Sequence, residues 1–130
     1  MIINKLSVVI PTFKREQQVI QILDSLNNQI SADIHLEVNI CDSFSEYNLK
    51  NLKKFKKNIV INYLNIKKNI LSSKRNHGIV KSTYNNIILI DDDCIPDQNF
   101  INSYLNDFSK IGEDTILSGI ILYPKEYIKK

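Results

Sequence analysis

Segments with strand character take turns with segments of helical spacing along the chain, and that alternation restricts the fold class. Leu6 to Ile10 is a short apolar run ended by Pro11, which suits a first buried strand. Val19, Ile20, Ile22, Leu23, Leu26 and Ile30 then recur at helical spacing, which predicts an amphipathic helix over 16–29. Ile34, Leu36, Val38 and Ile40 alternate with polar residues and lead to Asp42, a second strand. Leu49, Leu52 and Phe55, three apart amid lysines, predict a short helix with one apolar stripe. Ile59 to Leu64 reads as a third strand, and 72–83 as a helix with Ser72 or Ser73 as its N-cap. Ile87 to Ile90 is the fourth strand. Asp97 is the expected N-cap of a helix carrying Phe100, Ile101, Tyr104, Leu105 and Phe108, and Ile116 to Leu122 is an expected fifth strand. The pattern predicts an α/β fold with a mostly parallel sheet and flanking helices, in one domain over 1–130. A chain of 130 residues, 43% of them hydrophobic, supports one modest core.

Ligands of such sheets bind beyond the carboxyl ends of the strands, where the strand order reverses. The first strand ends in Pro11 and Thr12, the second in Cys41, Asp42 and Ser43, and the fourth in Asp91, Asp92 and Asp93. The unbroken apolar run before the three acids predicts a central strand buried on both faces. Crowded carboxylates repel one another and lose solvation if buried without partners. A divalent cation with a preference for oxygen, Mg²⁺ or Mn²⁺, relieves both problems. The competing reading of the same residues is a solvated acidic turn.

Composition excludes several classes. A net charge of +3, from 17 basic and 14 acidic residues, gives no argument for nucleic acid. The lysines of 50–57 and Lys125, Lys129 and Lys130 read as solvated faces. No segment reaches the ~18 apolar residues of a membrane span, and Met1 to Lys5 lacks the marks of a signal peptide. The expected location is therefore cytoplasmic. The two cysteines, Cys41 and Cys94, have no zinc-type spacing. If the second and fourth strands flank the first, the two lie roughly 10 Å apart, too far for a disulfide, so free thiols are expected.

Three segments together resemble the family 2 glycosyltransferases of the GT-A fold. Leu6-Ser-Val-Val-Ile-Pro-Thr-Phe-Lys-Arg15, followed by Ile22-Leu-Asp-Ser-Leu26 and Gln29, resembles the opening of that family. Ser72-Ser-Lys-Arg-Asn-His-Gly-Ile79 resembles its ARNxG segment, and Ile88-Leu-Ile-Asp-Asp-Asp-Cys-Ile-Pro-Asp97 its metal-binding DXD segment. Their order and spacing agree with the family over nearly the whole chain.

The resemblance implies a Rossmann-like donor-binding half that takes a nucleotide-sugar, UDP-linked, with Mg²⁺ or Mn²⁺. It implies Asp93 as the direct metal ligand and Asp91 as a contact to the ribose or to the metal through water. Asp92 lies near the ribose or turns away. Asp42 matches the acid that reads the uracil ring, and Pro11 and Thr12 match the loop that contacts the nucleoside. Arg75 lies where a guanidinium approaches the diphosphate. The implied acceptor is a glycan or lipid-linked hydroxyl in bacterial surface polysaccharide synthesis, with the protein at most peripheral at the inner face of a membrane. His77 falls at a variable position of its motif and has no implied role.

The chain departs from the family pattern in three places. Asp42-Ser43-Phe44-Ser45 stands where a Gly commonly relaxes the turn, and Ile70 stands where a Gly commonly precedes the ARN helix. The third departure is at the end: the sheet is expected to stop after about five strands, without the acceptor half and its general base. Glu126 is the only acid after Asp114. An acceptor hydroxyl needs a base within hydrogen-bond reach, and no catalytic residue is identified. Three readings follow. The first is a glycosyltransferase domain, and the second a non-catalytic nucleotide-sugar-binding remnant or one part of a split enzyme completed by a second chain. The third is a phosphoacceptor signalling domain, which expects an acidic pair where this chain has Pro11, Thr12 and Phe13.

Overall fold

The structure, a computed structural model, describes residues 3–44 and 55–127. Strand β1 (Lys5–Thr12) lies inside a parallel sheet with β2 (His35–Asp42) on one side and β4 (Ile87–Leu89) on the other. Strand β3 (Ile59–Asn65) pairs in parallel with β2, so the order is β3-β2-β1-β4. The chain moves outward from β1 through β2 to β3, then returns past β1 to lay down β4. The order therefore reverses between β1 and β4, and the crevice above that point is where such sheets bind ligands.

Alternation along β1 and β2 assigns the two faces. Leu6, Val8, Ile10, Leu36, Val38 and Ile40 join Ile88 and Ile90 in the main core. Helix α1 (Glu16–Gln29) covers that face with Val19, Ile22, Leu23 and Leu26, and α3 (Phe100–Phe108) adds Ile101 and Leu105. Both the bounds of α1 and its apolar stripe match the sequence expectation.

The opposite face carries Val9 and Cys41 beside polar residues, and α2 (Leu71–Lys81) packs there. Gly78 makes that approach possible. A Cβ on it would collide with the Val9 side chain and lie 2.8 Å from Cys41 Sγ. Glu37, 5% exposed, anchors the polar part of this face. It accepts from Ser7 Oγ (2.5 Å), Thr83 N (2.8 Å), Thr83 Oγ1 (2.8 Å) and Asn62 Nδ2 (3.2 Å). These bonds hold the segment between α2 and β4 down on the sheet.

Several sequence expectations need correction. Strand β4 is three residues long and lies at the sheet edge among the described residues, with Leu89 47% exposed, so it is not a central strand buried on both faces. Its apolar run cannot reveal whether a second neighbour pairs with it. The expected fifth strand, 116–122, forms no regular element, and Ile116, Ile120, Ile121 and Leu122 are exposed. An apolar run becomes a strand only where an edge receives it.

Helix α2 begins at Leu71 with Ile70 at the N-cap and no side-chain cap, so neither Ser72 nor Ser73 caps it. Asn99, not Asp97, is the N-cap residue of α3. The first-turn amide of Ile101 is satisfied from α1 instead, by Gln29 Oε1 at 2.9 Å, while Asp97 accepts the Asn99 amide at 3.3 Å. The expected helix at Leu49 and Leu52 lies outside the described residues. Cys41 and Cys94 are free thiols, as expected. Among the described residues no helix is long and apolar enough to cross a membrane.

Candidate functional site at the carboxyl edge

The ends of β1, β2 and β4 meet at one edge of the sheet. Pro11 and Thr12 pair in register with Cys41 and Asp42, and Asp91, Asp92 and Asp93 follow β4. Thr12 Oγ1 donates to Asp92 Oδ2 at 2.9 Å, so the hydroxyl that ends β1 spans the crevice between β1 and β4. Arg15, in the turn before α1, donates to the other oxygen of Asp92 at 3.1 Å. Arg75 in α2 donates to Asp91 Oδ1 at 2.6 Å. The structure thus brings Thr12, Arg75, Asp91 and Asp92 into direct bonding, and two of the three crowded acids each hold a guanidinium. Asp93 is exposed, and its Oδ1 lies 3.7 Å from Cys94 Sγ. Burial raises the Cys94 thiol above its usual range, and Asp93 adds to that, so the thiol stays protonated beside the acids.

Asp42 lies beneath the surface of this edge. It is fully buried; Oδ2 takes the hydroxyl of Tyr63 from β3, and Oδ1 has no hydrogen-bond partner. Tyr63 also reaches the Phe44 carbonyl, so the turn that carries Phe44 in place of a flexible residue is tied back to β3. Phe44 meets Phe13 edge-to-face at a centroid distance of 6.1 Å. Lys14 adopts φ 55, a conformation that costs a side chain about 1 kcal/mol or more, and its ammonium lies within 5.3 Å of Phe13 and 5.1 Å of Phe44.

Lys74 has no role implied by the sequence. It is 2% exposed, and its ammonium donates to the Thr12 carbonyl at 2.7 Å and to Asn69 Oδ1 at 2.6 Å. Burial lowers its pKa from the ordinary lysine value, against the pull of Asp42 and Asp92. The signal in the sequence is its place four residues before Gly78, on the stripe of α2 that faces the sheet. Tyr63 carries no such signal. Asn76 and His77 are exposed and stand apart from the edge network.

Among the described residues no cluster of three or more His, Cys, Asp or Glu side chains is arranged to hold a metal by itself. A pocket of about 350 Å³ lies at the opposite edge of the sheet, lined by Asn4, Ser31, Asp33, Asn102 and Ser109 among others. It gathers no set of charges comparable to the carboxyl edge.

The pattern of the family described as Glycosyl transferase family 2 matches residues 7–129. Chondroitin synthase of Pasteurella multocida (strain Pm70) is 30% identical over 126 residues, which is 95% of this chain and 12% of that protein. The chain therefore spans about an eighth of that relative. Two crystal structures of S. aureus TarS share the fold. One, of residues 1–349, superposes with a TM-score of 0.63 over 82% of this chain and 32% of that chain. The other gives 0.68 over 82% of this chain and 20% of that chain, and both are 18% identical. With the parallel sheet, the reversal point and the acid edge in place, the match over 7–129 has one meaning: the chain belongs to glycosyl transferase family 2.

Proposed function

We propose that the carboxyl edge binds the nucleoside diphosphate of a nucleotide-sugar, UDP-linked, for transfer of the sugar to an acceptor hydroxyl on a glycan or lipid-linked chain. One observation carries the reading. Four carboxylates, from Asp42, Asp91, Asp92 and Asp93, and the cations of Lys14, Arg15, Lys74 and Arg75 gather about the point where strand order reverses. An edge of mixed sign suits an anionic diphosphate accompanied by a divalent ion. Pro11 and Thr12 would flank the nucleoside. Asp42 Oδ1, buried without a donor, is an acceptor that the imide N–H of uracil would satisfy once the groups covering it move aside.

The donor set fits Mg²⁺ or Mn²⁺ on its chemistry. Mg²⁺ takes one or two carboxylates and completes its shell with water and substrate phosphates, so an all-protein cage is not required. Asp93, free of a guanidinium, and Asp91 would hold it, with Asp92 left to Thr12 and Arg15. When bound, the ion supplies Lewis-acid stabilisation of the leaving diphosphate. Arg75 orients the diphosphate through its planar fork, and Thr12 and Arg15 keep Asp92 turned into the crevice.

Thermal unfolding with UDP, with Mn²⁺ and with both tests the reading in the wild type and Asp93→Ala. A ligand at 100 times its dissociation constant adds about 2.7 kcal/mol of stability. The largest rise is expected with UDP and Mn²⁺ together, and the metal-dependent part should disappear in Asp93→Ala. A folded wild type that shows no rise under any of the three conditions refutes the proposal.

The second reading, a nucleotide-binding part completed by a further chain or segment, has its own support. Leu89 is exposed at the edge of β4, and Ile116, Ile120, Ile121, Leu122 and Tyr123 are exposed beyond α3. Release of UDP from a UDP-sugar in the presence of an acceptor separates the two readings: turnover by this chain alone excludes the second.

A further inference from the structure

We propose that Lys74 is the resident counter-ion of the site, a positioning residue whose buried charge lets the acid-rich edge accept a diphosphate before any metal is present. The inference rests on the nucleotide-binding reading above and goes beyond it in assigning the phosphates a buried cation in addition to Arg75.

The location of the ammonium makes the argument. Gly78 lets α2 sit close against β1 and β2, and Lys74, one helical repeat earlier, is carried to the end of β1. There it holds the Thr12 carbonyl and Asn69, and its ring contact with Phe13 is 5.3 Å. Its third proton has no acceptor among the described residues. The other cations of this edge are screened by water, with the Arg15 side chain 49% exposed, that of Arg75 34% exposed and Lys14 at the surface. Lys74, 2% exposed, is not. Its field is therefore the least attenuated at this edge.

The cation has opposing effects on stability: it satisfies the Thr12 carbonyl and faces the buried Asp42, but two costs stand against it. The residue sits in the first turns of α2, where the helix dipole opposes positive charge, and burying an ammonium carries a desolvation cost. An apolar side chain of the same length would avoid both costs, but it would leave the Thr12 carbonyl without this donor and Asp42 without this counter-charge. What the charge does is face Asp42 and Asp92 and offset part of the repulsion an incoming diphosphate meets.

Binding of UDP and of uridine, each in EDTA, and of Mn²⁺ alone is measured for the wild type, Lys74→Met and Asn69→Asp. The exposed Asn69→Asp keeps the lysine but sets a compensating negative charge against it, so it reports the charge effect even if Lys74→Met fails to fold. The expectation is a loss of about tenfold or more in UDP affinity for Lys74→Met, a smaller loss for Asn69→Asp, and little change for uridine. Mn²⁺ should bind both variants at least as tightly as it binds the wild type. Equal losses for UDP and uridine would reduce Lys74 to a structural role, and unchanged UDP affinity would overturn the inference outright. A wild type that binds neither UDP nor uridine, with or without Mn²⁺, would instead bring down the nucleotide reading and this inference with it.

Discussion

Substituting Glu37 by Gln tests whether the polar face beneath α2 is a fixed network or an adjustable one. Glu37 Oε2 accepts from Ser7 Oγ and the Thr83 amide, and Oε1 from Thr83 Oγ1 and Asn62 Nδ2. A glutamine must turn its NH₂ toward one of these pairs. Each pair contains one donor that cannot reverse. The Thr83 amide is backbone, and Asn62 Nδ2 is held by Asn39 Oδ1 at 2.9 Å. Asn39 is held in turn through Ser82 Oγ, which donates to the Gly78 carbonyl. The variant therefore loses a bond to a charged group, worth about 1.5–3 kcal/mol, and leaves a buried donor unmatched at about 1–3 kcal/mol. A net loss of about 3 kcal/mol at pH 7 is expected, since relaxation recovers part of the sum; that corresponds to roughly 10 °C in Tm.

The pH dependence of Glu37 supplies a second check. Burial raises its pKa, but the bonds from Ser7 and Thr83 outweigh that and hold the carboxyl below its ordinary 4.5. A lowered folded-state pKa gives stability that is present above 4.5 and lost as pH falls through the folded value. Urea unfolding followed by circular dichroism at a series of pH values should show a gap between wild type and variant that is full at pH 7 and closes in acid. Equal stability at pH 7, or a gap of constant size into acid, would refute the network argument.

Other expectations follow from the same geometry. Gly78→Ala forces a methyl into Val9 and Cys41 and should cost about 1–3 kcal/mol by overpacking, read from the urea midpoint; an unchanged midpoint would mean α2 is free to lift. Cys41 is fully buried and its thiol is pushed up to about 11 by that burial, partly offset by Lys74. It should resist a disulfide reagent at pH 8 until the protein unfolds, while the partly buried Cys94 reacts in the native state. Tyr63→Phe takes the hydroxyl from Asp42 and leaves both carboxylate oxygens without a hydrogen bond in the interior. A loss of about 1–3 kcal/mol is expected, together with a thermal shift on UDP addition that differs from that of the wild type.

Periodicity carried the sheet and α1 because both depend on runs of apolar side chains that bury against one another whatever follows. Val19, Ile22, Leu23 and Leu26 mark one stripe, and the alternation in β2 marks one face. Periodicity failed where a partner decides the outcome. Ile87 to Ile90 reads equally well as a central or an edge strand, and 116–122 looks like a strand although no described neighbour pairs with it. The cap of α3 escapes a local reading because the oxygen that accepts its first-turn amide belongs to Gln29, more than seventy residues earlier in the chain. At the candidate site, the acids and Arg75 were visible as strand-end and motif residues. Lys74 was hidden because a lysine among lysines carries no hydropathy signal, and only the close approach at Gly78 turns it inward.

The parallel topology also has a kinetic consequence. Thr12 and Asp92 are 80 residues apart in the chain, and the β1–β4 pairing brings together segments equally remote. Closing so long a loop is entropically slow, and parallel sheets gain nothing until it closes. The β1–β2 ladder spans a much shorter separation, pairing Lys5 with His35 through to Thr12 with Asp42, so it can form first. Docking of β4 then joins the fourth described strand to the sheet and forms the crevice in a single late event. In a refolding experiment, recovery of nucleotide binding should lag behind the early circular dichroism signal and coincide with the last phase.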